Sequence, residues 1–468
     1  VSPTLLSVCP FVLPTPNNEI VSDDAVVFGI FLPVQGAAPL TDRKALAYNL
    51  ALNELHLAGG LRIGGKRTPF AAVVCDSDPT VVEQGLRHLV DTLRVPAIVS
   101  LFSQDDMTRF SDRLTAANVF TVNPFDATEA LIGADTKRLV WNLLGTPEDI
   151  ALAYKPLVTR AERYAKQLHQ SPARIRTAVV TSTAATEKAM SAVVRDRNKG
   201  IVVNGQPFLD NPPADQLSYT VTSIDSNPSA NYRADALAIA EFRPNLVIML
   251  TGGEEGQIVP QLDAALKTQG AALPVYVLGP RGNAEPALIE YLTNAAVQSA
   301  DAKRRRVVGV QYASATDLTE RDAYVRRMND AWQGIDAPRG TYEAVDNSYD
   351  AIYWVAYSAA AAGPGRLSGL ELAAGARKLL AGPRVSPGPV AAITKAALDI
   401  GNSPNGVTFV GALGPPDIDL TTGTWRRNGS IYCPIEREPG VVDMKYDVLR
   451  YDRADGQLKG DFDCFVGF

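Results

Sequence analysis

ALNELHLAGGLRIGGKRTPFAAVVCDSD, residues 51–78, runs through a helix, a double-glycine turn, a polar hairpin and a buried strand that ends in acids. Gly60, Gly65 and Lys66 come close to spelling a phosphate-binding loop. Such a loop leaves a strand and opens a helix, so that the free amides at the helix start face the phosphates. Here the helix comes first and the strand second, and Arg67 stands where that loop needs a magnesium-binding hydroxyl. The stretch is a turn between a helix and a strand, one step of an α/β repeat.

Working outward, short β-branched runs alternate with amphipathic helical segments. Strands are expected at 25–33, 70–75, 97–102 and 119–124, and helices at 42–57, 79–93 and 105–116. After a helical stretch at 147–168 the alternation resumes. Strands are expected at 175–182, 219–223, 245–252 and 274–280, with helices at 186–197, 232–241 and 255–269. Near-continuous apolar strands alternating with helices indicate parallel sheets covered on both faces, hence two doubly wound α/β lobes. Beyond them come a strand at 307–313, helices around 319–333 and 347–362, a Gly/Pro-rich patch at 363–388, and a β-rich tail with strands at 407–413, 430–433 and 445–451. The expected division is an N-terminal extension at 1–24, a first lobe of 25–146 with 315–406, and a second of 147–314 with 407–468. The chain then crosses between the lobes several times, which makes a hinge.

At 468 residues the chain exceeds one ordinary core. A net charge of −6 speaks against nucleic acid as a partner, since neutralising phosphates takes clustered Lys and Arg, and the run at 303–306 is short. The apolar segment 351–363 falls short of the ~20 residues of a spanning helix and reads as a buried core helix. Val1 in place of Met points to a processed or trimmed amino terminus. Four cysteines without a CxxC pair or nearby histidines argue against zinc and suit two disulfides in an exported protein. Cys433 and Cys464 flank an expected antiparallel pair and are the favoured bridge. Cys9 with Cys75 is the second, with separate buried thiols as its alternative.

Eight segments together resemble the type I periplasmic solute-binding proteins of the branched-chain amino acid (Leu/Ile/Val) group of ABC transporters. They are GIFLPVQG (29–36), ALNELHLAGGLRIGGK (51–66), CDSDP (75–79), SDRLTAANVFTVNP (111–124), RLVWNLLGTPEDIALA (138–153), NLVIMLTGGEEGQIVPQLDAA (245–265), VYVLGPRG (275–282) and YDAIYWVAYSAAAAG (349–363). The resemblance implies two Rossmann-like lobes joined by three crossing strands (the periplasmic binding protein type I fold) that close on a small molecule and deliver it to an ABC permease. It also implies a monomer, periplasmic or membrane-anchored outside the cytoplasm, with a signal peptide or lipid anchor, and no cofactor or metal.

In open parallel sheets the ligand crevice lies beyond the carboxyl ends of the strands. Those ends give the candidate ligand-binding residues Gln35, Ser103, Gln104, Asp105, Asp106, Phe125, Asp126 and Thr128 in the first lobe, and Thr183, Glu254 and Arg281 in the second, with Asn347 or Tyr349 on the hinge side. Phe31 offers an aromatic wall. Two positions depart from what the resemblance implies. Where amino-acid binders carry serines for the ligand carboxylate, this chain reads SQDD (103–106), and Asp105 and Asp106 would cap the helix amides themselves and repel a carboxylate. Where those binders place an acid for the ligand ammonium, Arg281 stands, and arginine prefers a carboxylate or phosphate. The polarity is reversed, with Asp76 and Asp78 adding to an acidic first lobe. Either the ligand lies the other way round, or it is not a standard amino acid, or Asp and Arg pair with each other.

The residues do not compose an enzyme. His56, His88 and His169 fall within expected helices away from the strand ends, and no GxSxG elbow or HExxH run is present. Glu254 and Glu255 are paired acids without a partner at a definable distance. The competing reading is a ligand-sensing receptor domain of the same fold, without a transport role.

Overall fold

The computed structural model describes residues 8–14, 24–34, 43–99, 104–124, 137–170, 173–224, 227, 230–283, 285–294, 300–313, 318–332, 345–365, 367–438, 441–460 and 464–465. The chain forms two compact units, Val1–Thr146 with Ser314–Arg426, and Pro147–Ala313 with Arg427–Phe468. It passes between them three times.

In unit 1 the strands Val26–Leu32, Phe70–Asp76, Ala97–Val99, Phe120–Asn123 and Val140–Asn142 are parallel. Numbered along the chain, they lie in the order 2-1-3-4-5. Successive side chains of a strand serve opposite faces. Phe28, Ile30 and Leu32 thus enter one core with Ala72 and Val74, while Phe31 enters the other with Val73 and Cys75. The larger core holds the helix Asp346–Ala362, buried along almost its whole length, as the sequence led us to expect. The residues 51–78 form what their order dictates: the end of the helix Arg43–Leu57, the hairpin Leu61–Ile63 with Lys66–Thr68, and the strand Phe70–Asp76. Gly60 turns with φ of +79°, and a Cβ there would meet the Thr68 carbonyl, so glycine is required for the chain to double back.

Unit 2 repeats the plan. Thr177–Ser182, Gln216–Val221, Leu246–Leu250, Val275–Leu278 and Val307–Tyr312 are parallel and again lie in the order 2-1-3-4-5. Val179, Leu246, Ile248 and Leu250 face one core, and Ala178, Val180, Val247 and Met249 the other. An antiparallel ribbon of Gly429–Glu438, Val441–Asp452 and Gln457–Lys459 extends this sheet beyond Val307–Tyr312.

Several expectations need correction. The expected second-lobe tail begins too early: residues up to Arg426 belong to unit 1, because Thr424 pairs with Asn142 and Asp350 holds the amides of Ala412 and Leu413. The N-terminal extension is not separate from unit 1. Phe11–Leu13 adds an antiparallel edge strand to Phe70–Asp76, and Cys9 is bridged to Cys75. Cys433 is bridged to Cys464, as favoured. Two helices were missed after residue 363, Gly369–Arg377 and Val390–Asn402. The helix expected at 79–93 is shorter, Val82–Arg87, and widens into a π turn at His88–Thr92.

Candidate functional site

In a doubly wound sheet of order 2-1-3-4-5, the connections leaving strands 1 and 3 depart to opposite faces, and this switch point opens a crevice at the strand ends. In unit 2 the crevice lies beyond Thr177–Ser182 and Leu246–Leu250, where the chain enters the helices Ala185–Val194 and Glu255–Thr268. Helix starts of this kind present unpaired amides and a partial positive charge.

Just ahead of the second helix, the chain's own carboxylates bind the amides of the turn and of Ile224. Glu254 is fully buried; its Oε1 accepts the Ile224 amide at 2.8 Å and its Oε2 the Gly252 amide at 2.5 Å. Glu255, also fully buried, accepts through Oε2 from the Thr251 hydroxyl at 2.5 Å and the Gly253 amide at 3.0 Å. Burial pushes its carboxyl up to about 7, against the lowering effect of these two donors and of its own backbone amide, and the neighbouring Glu254 adds to the rise. Gly253 turns with φ of +125°, which only glycine adopts freely.

Arg281, in the short helical turn Pro280–Asn283, is exposed and donates from Nη1 to the Gly252 carbonyl at 3.2 Å. Nη1 and Glu187 Oε1 come within 3.3 and 3.2 Å of the position a Cβ on Gly252 would take, so any larger residue there would intrude between them. Thr183 is half-buried and its hydroxyl accepts the Ser223 amide at 2.8 Å. Thr183, Glu254 and Arg281 are therefore gathered at one end of unit 2. All three carry scaffold bonds, and Arg281 is the exposed one.

In unit 1, Gln35, Ser103, Phe125, Asp126 and Thr128 lie outside the described residues, as do the side chains of Gln104 and Asp105. Asp106 is half-buried in the first turn of Gln104–Ala116. Asn347 is buried and donates to the Pro124 carbonyl at 2.7 Å, tying the start of its helix to the end of Phe120–Asn123. Asp76 and Asp78 are spent on their own turn: Asp76 accepts the amides of Val34 and Asp78, and Asp78 those of the Thr80 amide and hydroxyl. Those two bonds hold the Asp78 carboxyl below its usual range.

Two softer candidates are core residues. Phe31 is fully buried against Cys75 and Gly85 rather than lining a wall. Tyr349 gives its hydroxyl proton to Glu54 at 2.5 Å and accepts from Arg327 at 2.8 Å, in a buried cluster with Tyr353. Glu187 and the structural use of Glu255 were not foreseen from the sequence. A separate cavity of about 250 Å³ in unit 1 is lined by Arg384, Ser386, Lys395 and Asp399, and its charges pair with Glu320 and with each other. Among the described residues, no three His, Cys, Asp or Glu side chains gather as metal ligands, and no helix is long and apolar enough to cross a membrane.

No protein-family model matches the chain, and no curated protein matches it in sequence. Solved structures do. The branched-chain amino acid transporter substrate-binding protein LivJ from Streptococcus pneumoniae, in complex with isoleucine, aligns at a TM-score of 0.59 over 90% of this chain and 99% of that one, with 14% identity. The chain has the type I periplasmic binding protein fold. The same fold extends to a fatty acid ABC transporter substrate-binding protein from Thermomonospora curvata, with a TM-score of 0.54, 14% identity, and 91% and 92% of the two chains covered. It also includes a solute-binding protein of an ABC transporter from R. palustris in complex with benzoate, with a TM-score of 0.51, 16% identity, and 93% and 98% covered. At these identities the likeness is one of fold.

Proposed function

We propose that this chain is an extracytoplasmic solute-binding protein of an ABC transporter, taking a small polar molecule at the strand ends of its α/β units. The observation that carries the reading is the repeated 2-1-3-4-5 sheet in a chain that aligns over nine-tenths of its length with binding proteins of such transporters. Its partner is a membrane permease, it works as a monomer, and it returns its solute unchanged. That no described cysteine is free, the four forming two disulfides, supports folding in an oxidising compartment.

Neighbours of this fold carry isoleucine in one case and benzoate in another, so fold alone does not choose the solute. Arg281 narrows the choice toward molecules with a carboxylate or comparable anionic group, which a guanidinium grips through two parallel hydrogen bonds. The test is mass spectrometry of small molecules released from the purified protein, followed by thermal-shift titration against amino acids, organic acids, amides and aromatic acids. The reading predicts a bound solute recovered intact and a dose-dependent rise in melting temperature for one class. A well-folded sample that no small solute stabilises refutes it.

A further inference from the structure

Glu255 stands out among the buried groups of unit 2. Its Oε2 holds the Thr251 hydroxyl and the Gly253 amide, whereas its Oε1 is buried and meets no donor among the described residues. Leaving one oxygen of a buried carboxylate unpaired is costly when the group is charged and much less so when it is protonated. Acids and tyrosines are its described titratable neighbours, with Arg281 on the turn whose Gly282 lies against Oε1. Glu254 lies beside it. From the helix Pro147–Leu168, Tyr154 gives its proton to the Leu278 carbonyl; from Gly429–Glu438, Tyr432 gives its proton to the Gly279 carbonyl. Both tyrosines feel the Glu255 charge, and Glu187, from Ala185–Val194, adds a further acid felt by Tyr154. Arg281 spends Nη1 on the Gly252 carbonyl of the same turn.

The turn is thus pinned at Gly252 by Glu254 and at Gly253 by Glu255, and its Gly252 carbonyl in turn anchors Arg281. We propose that Glu255 is a proton-operated latch on the turn 251–254 and, through it, a positioning residue for Arg281. This rests on the reading of Arg281 as the solute-facing group. With the proton on Oε1, Oε2 still accepts both donors and the turn keeps the geometry described. Without it, a second negative charge beside Glu254 is relieved by water or a shifted donor reaching Oε1, which loosens the hold on Gly253 and moves the carbonyl that Arg281 leans on. An anionic solute group beside Arg281 favours the protonated form, so binding of such a solute takes up a proton and weakens at alkaline pH.

The latch can be tested without a solute. The full chain, deuterated and labelled with ¹⁵N-glycine, is titrated from pH 5.5 to 8.5 while the amide resonances of Gly252 and Gly253 are followed. Gly253 should shift along one titration curve with a midpoint at about 7, while Gly270, in a turn with open space around it, stays flat. Glu255→Gln keeps the size and the acceptor and should abolish the curve. Glu254→Gln should keep it with a lower midpoint, and Thr251→Val, which removes a donor, should raise the midpoint. A flat Gly253 in the wild-type chain, or a curve that persists in Glu255→Gln, overturns the proposal. Should Glu255→Gln fail to fold, the wild-type and Thr251→Val curves decide alone. A titrating latch in a protein that binds no solute would refute the proposed function and leave the latch standing.

Discussion

Asp350→Ala should release the segment of unit 1 that precedes the last crossing. Asp350 is fully buried in the helix Asp346–Ala362, and its two oxygens accept the amides of Ala412 and Leu413 at 2.9 and 2.8 Å. Gly411 is packed so tightly against the carboxylate that a Cβ there would lie 2.3 Å from Oδ2. A hydrogen bond to a charged group contributes about 1.5–3 kcal/mol, and removing the acceptor leaves two buried amides unpaired, so the expected loss is roughly 3–6 kcal/mol. Asp350→Asn keeps one acceptor and turns an NH₂ toward the other amide, so it should lose about half as much. Two units need not unfold together, so a single midpoint is a poor readout. Hydrogen exchange at Ala412 and Leu413, alongside urea unfolding, isolates the effect. The reasoning fails if Asp350→Ala unfolds within 1 kcal/mol of the parent and both amides keep their protection.

Other outcomes follow from the same contacts. Gly309→Ala places a methyl 2.0 Å from Tyr432 Cζ and should cost about 1–3 kcal/mol by overpacking, partly restored when Tyr432→Leu is added, as measured by denaturation. Burial holds the folded carboxyl of Glu255 at about 7, above the ordinary 4.5, so the folded chain holds the extra proton between those values and stability falls as pH rises from 4.5 to about 7. Glu255→Gln should flatten that fall by roughly 3 kcal/mol, seen in melting curves across the range. Arg281→Ala should weaken an anionic solute at least about tenfold by calorimetry; unaltered affinity removes Arg281 from the site. Replacing Cys9 and Cys75 by serine opens a bridge spanning 66 residues and should cost about 4 kcal/mol on chain-entropy grounds, with the Phe11–Leu13 strand the first to lose exchange protection.

The sheets were legible because their strands are apolar on both faces, and such runs stand out whatever surrounds them. The helix Gly369–Arg377 was not, because glycine reads as a breaker, and Val390–Asn402 was hidden behind the Gly/Pro-rich run that ends at Gly388. In the first of these, glycines serve close packing instead: a Cβ on Gly369 would meet the Asn118 carbonyl at 2.0 Å, and one on Gly375 the Ser358 carbonyl at 2.0 Å. Ser368 and Glu371, a capping box, were the available signal. The last crossing was misplaced because Thr424–Trp425, two residues long, decides it. Spacing placed Thr183, Glu254 and Arg281 just after the strands Thr177–Ser182, Leu246–Leu250 and Val275–Leu278, as the structure has them. What each carboxylate grips was illegible, since Glu254 and Glu255 are adjacent in sequence and only the fold shows them bonded to successive amides of one turn.

The three crossings make unit 1 a late product of synthesis. Its sheet runs from Val140–Asn142 directly to Thr424–Trp425, so the Val140–Asn142 strand has no outer neighbour until nearly 300 residues more have been added. At ~5–20 residues per second this leaves a bare strand edge on the nascent chain for roughly 15–60 s. Such an edge is a template for pairing with another chain. A truncation ending anywhere between residues 147 and 423 should therefore yield not a smaller binding domain but a sticky intermediate, and production of the whole chain should depend on how quickly Thr424 and Trp425 arrive to cover it.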